Sequence, residues 1–147
     1  MNSATVSNLS NTDMQAIPMN HEEALINAFV KPSQVERYLE SVARPKKRMK
    51  LTKSLAHFKA LNPEFMVSIP SNQRSASAIM GLLKARGAGP KCWVISENSK
   101  LDRQEMDLET ALMETVGRQM GTLISCVPGR LGYFEDEDDR CILQRRP

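Results

Sequence analysis

At 147 residues, with 41% apolar and 25% charged side chains, the chain is long enough to bury a core without disulfide or metal staples. No apolar run approaches the ~18 residues of a membrane span, and three cysteines with none in CxxC spacing argue against a disulfide framework or a zinc site and for a reducing, cytoplasmic setting. Net charge is +3, but residues 1–90 hold twelve Lys/Arg and six Asp/Glu (+6) while residues 91–147 hold eight and eleven (−3). A basic half joined to a mildly acidic half implies a charged partner or docking of the halves on each other.

Residues 1–19 are rich in Ser, Asn and Thr and lack a basic start and an apolar core segment. They read as a disordered tail rather than a secretory signal. Residues 20–147 read as one α+β domain, with a helical part over 20–90 and a sheet part over 91–147.

Asn20 and Glu23 have the form of a capping box and predict a helix over 21–30, with Ala24, Leu25, Ala28 and Phe29 on its apolar side. Lys31-Pro32 ends it, because the proline ring removes a donor and clashes with the preceding turn. Ser33 and Glu36 predict a second capping box, opening a helix over 34–43 with Val35, Tyr38, Leu39 and Val42 inward. Pro45 suits the first turn of a third helix, expected to run to Leu61 on a core face of Leu51, Leu55 and Phe58. Residues 63–72 read as a loop with a short extended piece at 65–69. Ser71 or Asn72 is expected to cap a fourth helix with Ala76, Ile79, Met80 and Leu83 inward. Gly87 suits a left-handed cap at its end, and Gly89-Pro90 prevents continuation.

Lys91–Ser96 predicts the first long strand. Asp107 is expected to cap a fifth helix through Val116, ended by Gly117. Thr122–Val127, Leu131–Glu135 and Arg140–Gln144 predict three more strands, the first two joined by a Pro128-Gly129 type II turn. The strand–helix–strand step over 91–127 is long enough for a crossover, which would make those two strands parallel. The later links are short and force antiparallel neighbours. The expected sheet is therefore mixed, with helices packed on one face.

Five constellations could carry chemistry. In RPKKRMKLTK, Lys46, Lys50, Lys53 and His57 fall on one stripe of a helix over 45–60, opposite Leu51, Leu55 and Phe58. Phosphate contact needs such a row of cations, and a solvated helix face looks the same. Ser96-Glu97-Asn98 ends a strand, followed by Asp102, Glu105 and Asp107. Carboxylates there suit a general base, although Asp107 has ordinary work as a cap. Cys126 ends another strand and would be a nucleophile if His57 lowered its pKa; its ordinary role is a small buried hydrophobe. Arg130, in the Pro128-Gly129 turn, is a candidate anion clamp. The run EDEDD at 135–139 reads as a solvated loop that blunts a sheet edge and could dock a basic partner, a second copy included.

These readings point to a small cytosolic binding or regulatory module acting through protein contacts or a small anionic ligand, with Ser96 and Arg130 as ligand-binding residues and no cofactor or metal. Its partner is expected to be a protein or a second copy, not a membrane. One alternative is an enzyme of hydrolase or transferase type with Glu97, Cys126, His57 and Arg130 at the strand ends. The other is nucleic-acid binding through Lys46, Lys50 and Lys53.

Overall fold

The computed structural model describes residues 21–146. Helix α1 covers 21–29 and buries Leu25, Ile26, Ala28 and Phe29; the Asn20 half of its expected capping box lies outside the described residues. A tight 3-10 turn follows at Pro32–Gln34, and α2 runs over Val35–Ala43. The Ser33–Glu36 box does not form. The proline turn directs the Val35 N–H to the Pro32 carbonyl, Gln34 becomes the N-cap, and no side chain caps the helix.

Helix α3 spans Pro45–Ser54, tightens into a 3-10 turn at Leu55–His57, and stops at an extended Phe58. The expected continuation to Leu61 is cut short by packing. Phe58 leaves the helical path to meet the rings of Tyr38 and Phe134, at 5.2 and 6.2 Å between centroids. Gly121 presses on the same point: a Cβ there would overlap the backbone of Leu55 and Ala56. Leu61 instead bridges to Val30.

Strand β1, Met66–Ser68, occupies the expected extended piece. Helix α4, Ala76–Ala85, is capped by Ser75, whose hydroxyl accepts the Ala78 N–H at 3.1 Å; neither Ser71 nor Asn72 does this. Gly87, at φ +112°, closes the helix, with the Ala88 N–H reaching back to the Leu83 carbonyl at 3.0 Å. Strand β2 is Lys91–Ser96, and β4, β5 and β6 are Thr122–Val127, Leu131–Glu135 and Arg140–Gln144. Between β2 and β4 lie β3, Gln104–Asp107, and α5, Leu108–Thr115. Asp107 precedes α5, but its carboxylate pairs with Lys91 at 2.8 Å instead of capping the helix.

The six strands form one sheet in the order β1-β6-β5-β4-β2-β3, and every neighbouring pair is antiparallel. The α+β class stands, and the mixed sheet does not. The hairpin partner β3 reverses the chain before α5 begins. The helix therefore crosses from β3 to β4, and β4 meets β2 antiparallel. Strand β3 escapes the sequence pattern because it is a short, polar edge with no apolar alternation.

Helices cover both faces rather than one. Helices α1–α3 pack on the face that presents Trp93, Ile95, Leu123, Phe134 and Leu143. Helices α4 and α5 pack on the other, which presents Val94, Ile124, Tyr133 and Ile142. Burial on both sides explains why β2 and β4 read as nearly unbroken apolar runs. No helix among the described residues is long and apolar enough to cross a membrane.

Candidate functional site

The strand-end residues have structural work. Ser96 ends β2, where its hydroxyl shares a 2.8 Å hydrogen bond with Thr122 Oγ1 and accepts the Asn98 N–H at 3.0 Å. The Glu97 carboxylate accepts the Gly121 N–H at 2.7 Å, and the Glu97 N–H donates to the Gly121 carbonyl at 2.9 Å. Together these bonds tie the end of β2 to the start of β4.

Cys126 and His57 do not meet. Cys126 belongs to the core beneath α4 and α5, where burial pushes its thiol far above the ordinary range. His57 lies between Leu55 and Phe58 of the opposite core, and its exposed ring stands with Nδ1 3.2 Å from Glu137. The sheet separates them. Arg130 is equally remote from Ser96. The type II turn forms as expected, with Gly129 at φ +74° and the Arg130 N–H on the Val127 carbonyl at 2.9 Å. That turn lies at the far end of β4 from the Ser96–Thr122 pair.

The acidic run is not a uniformly solvated loop. Glu135 is 0% exposed because it ends β5 on the Tyr133 side of the sheet. It accepts the Tyr133 hydroxyl at 2.7 Å and the N–H groups of Gly117 and Gln119 at 3.2 and 2.9 Å. Burial and this carboxylate both raise the Tyr133 phenol above its usual pKa. Asp136 is also buried, and one of its oxygens accepts the N–H groups of Asp138 and Asp139 at 2.8 and 2.7 Å. A carboxylate that accepts several N–H donors organises a turn.

One buried charge cluster lies outside the five constellations. Arg48 of α3 is 4% exposed. Its Nη1 donates to Glu22 of α1 at 2.6 Å, and its Nη2 and Nε form a fork on Asp102 at 2.9 and 3.2 Å. The other Glu22 oxygen accepts the Trp93 indole N–H at 2.7 Å, and Asp102 also accepts the Ser96 N–H at 3.0 Å. Burial pulls the guanidinium pKa down, and the bonds to Asp102 and Glu22 more than offset it, leaving a net rise. Beside this cluster His21 shares a 2.7 Å hydrogen bond with Ser125 Oγ and stacks near Trp93 at 6.4 Å. Ser125 is 2% exposed in the middle of a central strand, so the pair bolts α1 to the sheet and offers no open nucleophile. Arg48, Leu51 and Leu55 stand at i, i+3 and i+7, so the helical period alone would have turned Arg48 inward.

The surface outside this cluster has a different character. Helices α2 and α3 and the Arg44 that joins them carry six exposed cations, Arg37, Arg44, Lys46, Lys47, Lys50 and Lys53, against two carboxylates, Glu36 and Glu40. Glu40 is engaged by Lys47 and, at 3.6 Å, by Arg44; the Lys47 hydrogen bond and charge hold its carboxyl below the usual range. Among the described residues, no carboxylate lies within ion-pair distance of Lys46, Lys50, Lys53 or Arg37. Arg37, Lys47 and Lys50 flank a groove of about 380 Å³ between the two helices. Among the described residues, no three His, Cys, Asp or Glu side chains converge as metal ligands. A comparison with protein-family models, curated proteins and solved structures finds no match for this chain.

Proposed function

We propose that the protein is a binding module whose contact surface is the outer face of α2 and α3, and that this face takes the phosphate backbone of a nucleic acid. The observation that carries the reading is the row of exposed cations at Lys46, Lys50 and Lys53, with Arg37 beside it, none of which has a carboxylate within ion-pair distance among the described residues. On a helix rising 1.5 Å per residue, Lys46 to Lys53 spans about 10 Å, enough to meet more than one phosphate of a duplex strand, whose charges recur about every 3.4 Å of helix axis. A membrane surface suits the face less well. Met49 is the one large apolar side chain that α3 exposes, and an interfacial helix needs a continuous apolar face. A second copy is also a poor fit. Of the acidic run, Glu135 and Asp136 are buried, while Glu137 and Asp139 already stand beside His57 and Arg74. Three buried cysteines without a disulfide support a cytoplasmic setting.

Fluorescence anisotropy with a labelled duplex, over a salt series, tests the proposal. The expected result is an affinity that falls linearly on a log–log salt plot. In Lys46→Gln/Lys50→Gln/Lys53→Gln the slope should be smaller by about 3, since each neutralised phosphate contributes about 0.9. A triple variant with unchanged affinity and slope would overturn it. So would failure to bind at low salt while an acidic protein binds through the same lysines.

A further inference from the structure

A second cationic surface, built differently and sharing no residue with α2 or α3, lies where β6 and β1 meet the end of α4. Arg86, Gln144, Arg145, Arg146, Phe65 and Glu64 line an open cleft there of about 480 Å³. Lys46, Lys50 and Lys53 of α3 have no ion-pair partner among the described residues, but two of these arginines are held by hydrogen bonds. Arg86 caps α4, and its guanidinium donates through Nε to Gln144 Oε1 and through Nη1 to the Leu82 carbonyl, both at 3.1 Å. Arg145 lies over the Phe65 ring at 4.4 Å and donates through Nη1 to the Ala28 carbonyl at 3.3 Å. Phe65 is itself fixed, edge-on to the buried Phe29 at 6.3 Å. The Arg145 backbone is pinned as well, its N–H donating to the Arg130 carbonyl at 2.9 Å.

All of these acceptors are neutral. Among the described residues, no carboxylate lies within ion-pair distance of Arg86 or Arg145, and Glu64 is the one carboxylate in the lining, itself exposed. Two cations held in one cleft by neutral acceptors repel each other and gain from an anion placed between them. A guanidinium has five N–H donors. Arg86 commits two of them and Arg145 one to protein acceptors, which leaves three and four to offer a ligand. The planar fork matches oxyanion geometry bidentately, and restraint before binding removes part of the ordering cost.

We propose that this cleft binds a small, doubly charged oxyanion of the phosphate or phosphomonoester class, seated between Arg86 and Arg145 with Arg146 at the mouth. The site stands apart from the lysine face of α3, so either proposal can fail alone.

Titration of the full-length protein with inorganic phosphate at constant ionic strength, followed by amide NMR shifts, tests it, with chloride and succinate as controls. The expected result is saturable shifts confined to Phe65, Arg86, Gln144 and Arg145, with succinate weaker than phosphate. Arg86→Gln and Arg145→Gln should each weaken binding by about tenfold or more, Arg86→Lys should lose part of it, and the triple lysine variant should be unchanged. If Arg145→Gln loses its fold through the Phe65 contact, Gln144→Ala decides: it frees Arg86 without removing a charge and should still weaken binding. Shifts that rise without saturation over all basic residues would overturn the proposal. Equal affinity in a folded Arg86→Gln would do the same.

Discussion

Replacing Arg48 by methionine, similar in length but apolar, tests whether the buried cluster holds α1 and α3 to the sheet. The substitution removes three hydrogen bonds to two carboxylates. Glu22, with 7% of its side chain exposed, would keep the Trp93 indole as its donor. Asp102, with 18% exposed, would keep the Ser96 N–H and some water. Breaking a buried ion pair by removing one partner costs about 3–5 kcal/mol. The partial exposure of Asp102 places this case near about 3 kcal/mol, or a melting temperature lower by about 10 °C for a chain of this length. Trp93 is the one tryptophan, so its emission reports the network directly and urea unfolding can be followed at the site itself. Adding Glu22→Gln and Asp102→Asn to Arg48→Met removes the stranded charges and should recover about half the loss, because the cost lies in unpaired carboxylates rather than in the missing arginine. A loss below about 1 kcal/mol in the single variant, or a triple variant no more stable than it, would refute the reasoning.

His21 gives stability a pH dependence of known sign. Burial lowers the pKa of its half-buried ring below the ordinary 6.5, against the opposing pull of Glu105 and Glu22. The unfolded chain takes up a proton near pH 6.5 that the folded chain resists. The contribution is therefore whole above about pH 7 and is lost as pH falls below the unfolded value. Urea midpoints measured from about pH 7 to 5 should fall more steeply in the parent than in His21→Asn; parallel curves would exclude the mechanism. Thr115, buried at the end of α5, has a hydroxyl with no hydrogen-bond partner among the described residues. Thr115→Val keeps the shape and removes the unpaired group, so thermal unfolding should show a gain of about 1 kcal/mol, and a loss would mean that the hydroxyl has a partner.

Local chemistry was legible in the sequence, and long-range placement was not. The three strands at Thr122–Val127, Leu131–Glu135 and Arg140–Gln144 coincide with their apolar runs, because short runs rich in β-branched and aromatic residues, bounded by turn chemistry, mark strands even without alternation. Gly87 and Gly129 take the positive φ that their turns require. The α3 lysines are exposed, as their spacing implies. Arg48 was hidden because a charged residue among Lys46, Lys47 and Lys50 looks like surface, and its partners stand 26 and 54 residues away. Glu135 and Asp136 were hidden because five adjacent acids are alike in sequence, and only the end of β5 and the turn after it bury the first two. The antiparallel sheet was missed for want of β3, whose polar edge carries no apolar signal. Cys126 and His57 appeared as a pair only while the sheet between them was unknown.

The pairing of the first strand with the last has a consequence for how this chain is made in the cell. Val67 pairs with Ile142, 75 positions later (142 − 67). At about 5–20 residues per second, synthesis leaves β1 without a partner for about 4–15 s. Leu25, Phe29 and Phe58 wait through the same interval, because the surface that covers them includes Phe134 and Leu143. Helices α1–α3 are therefore synthesised well before the strands that cover their apolar faces. The sheet is completed only once β6 has been made and can pair with β1.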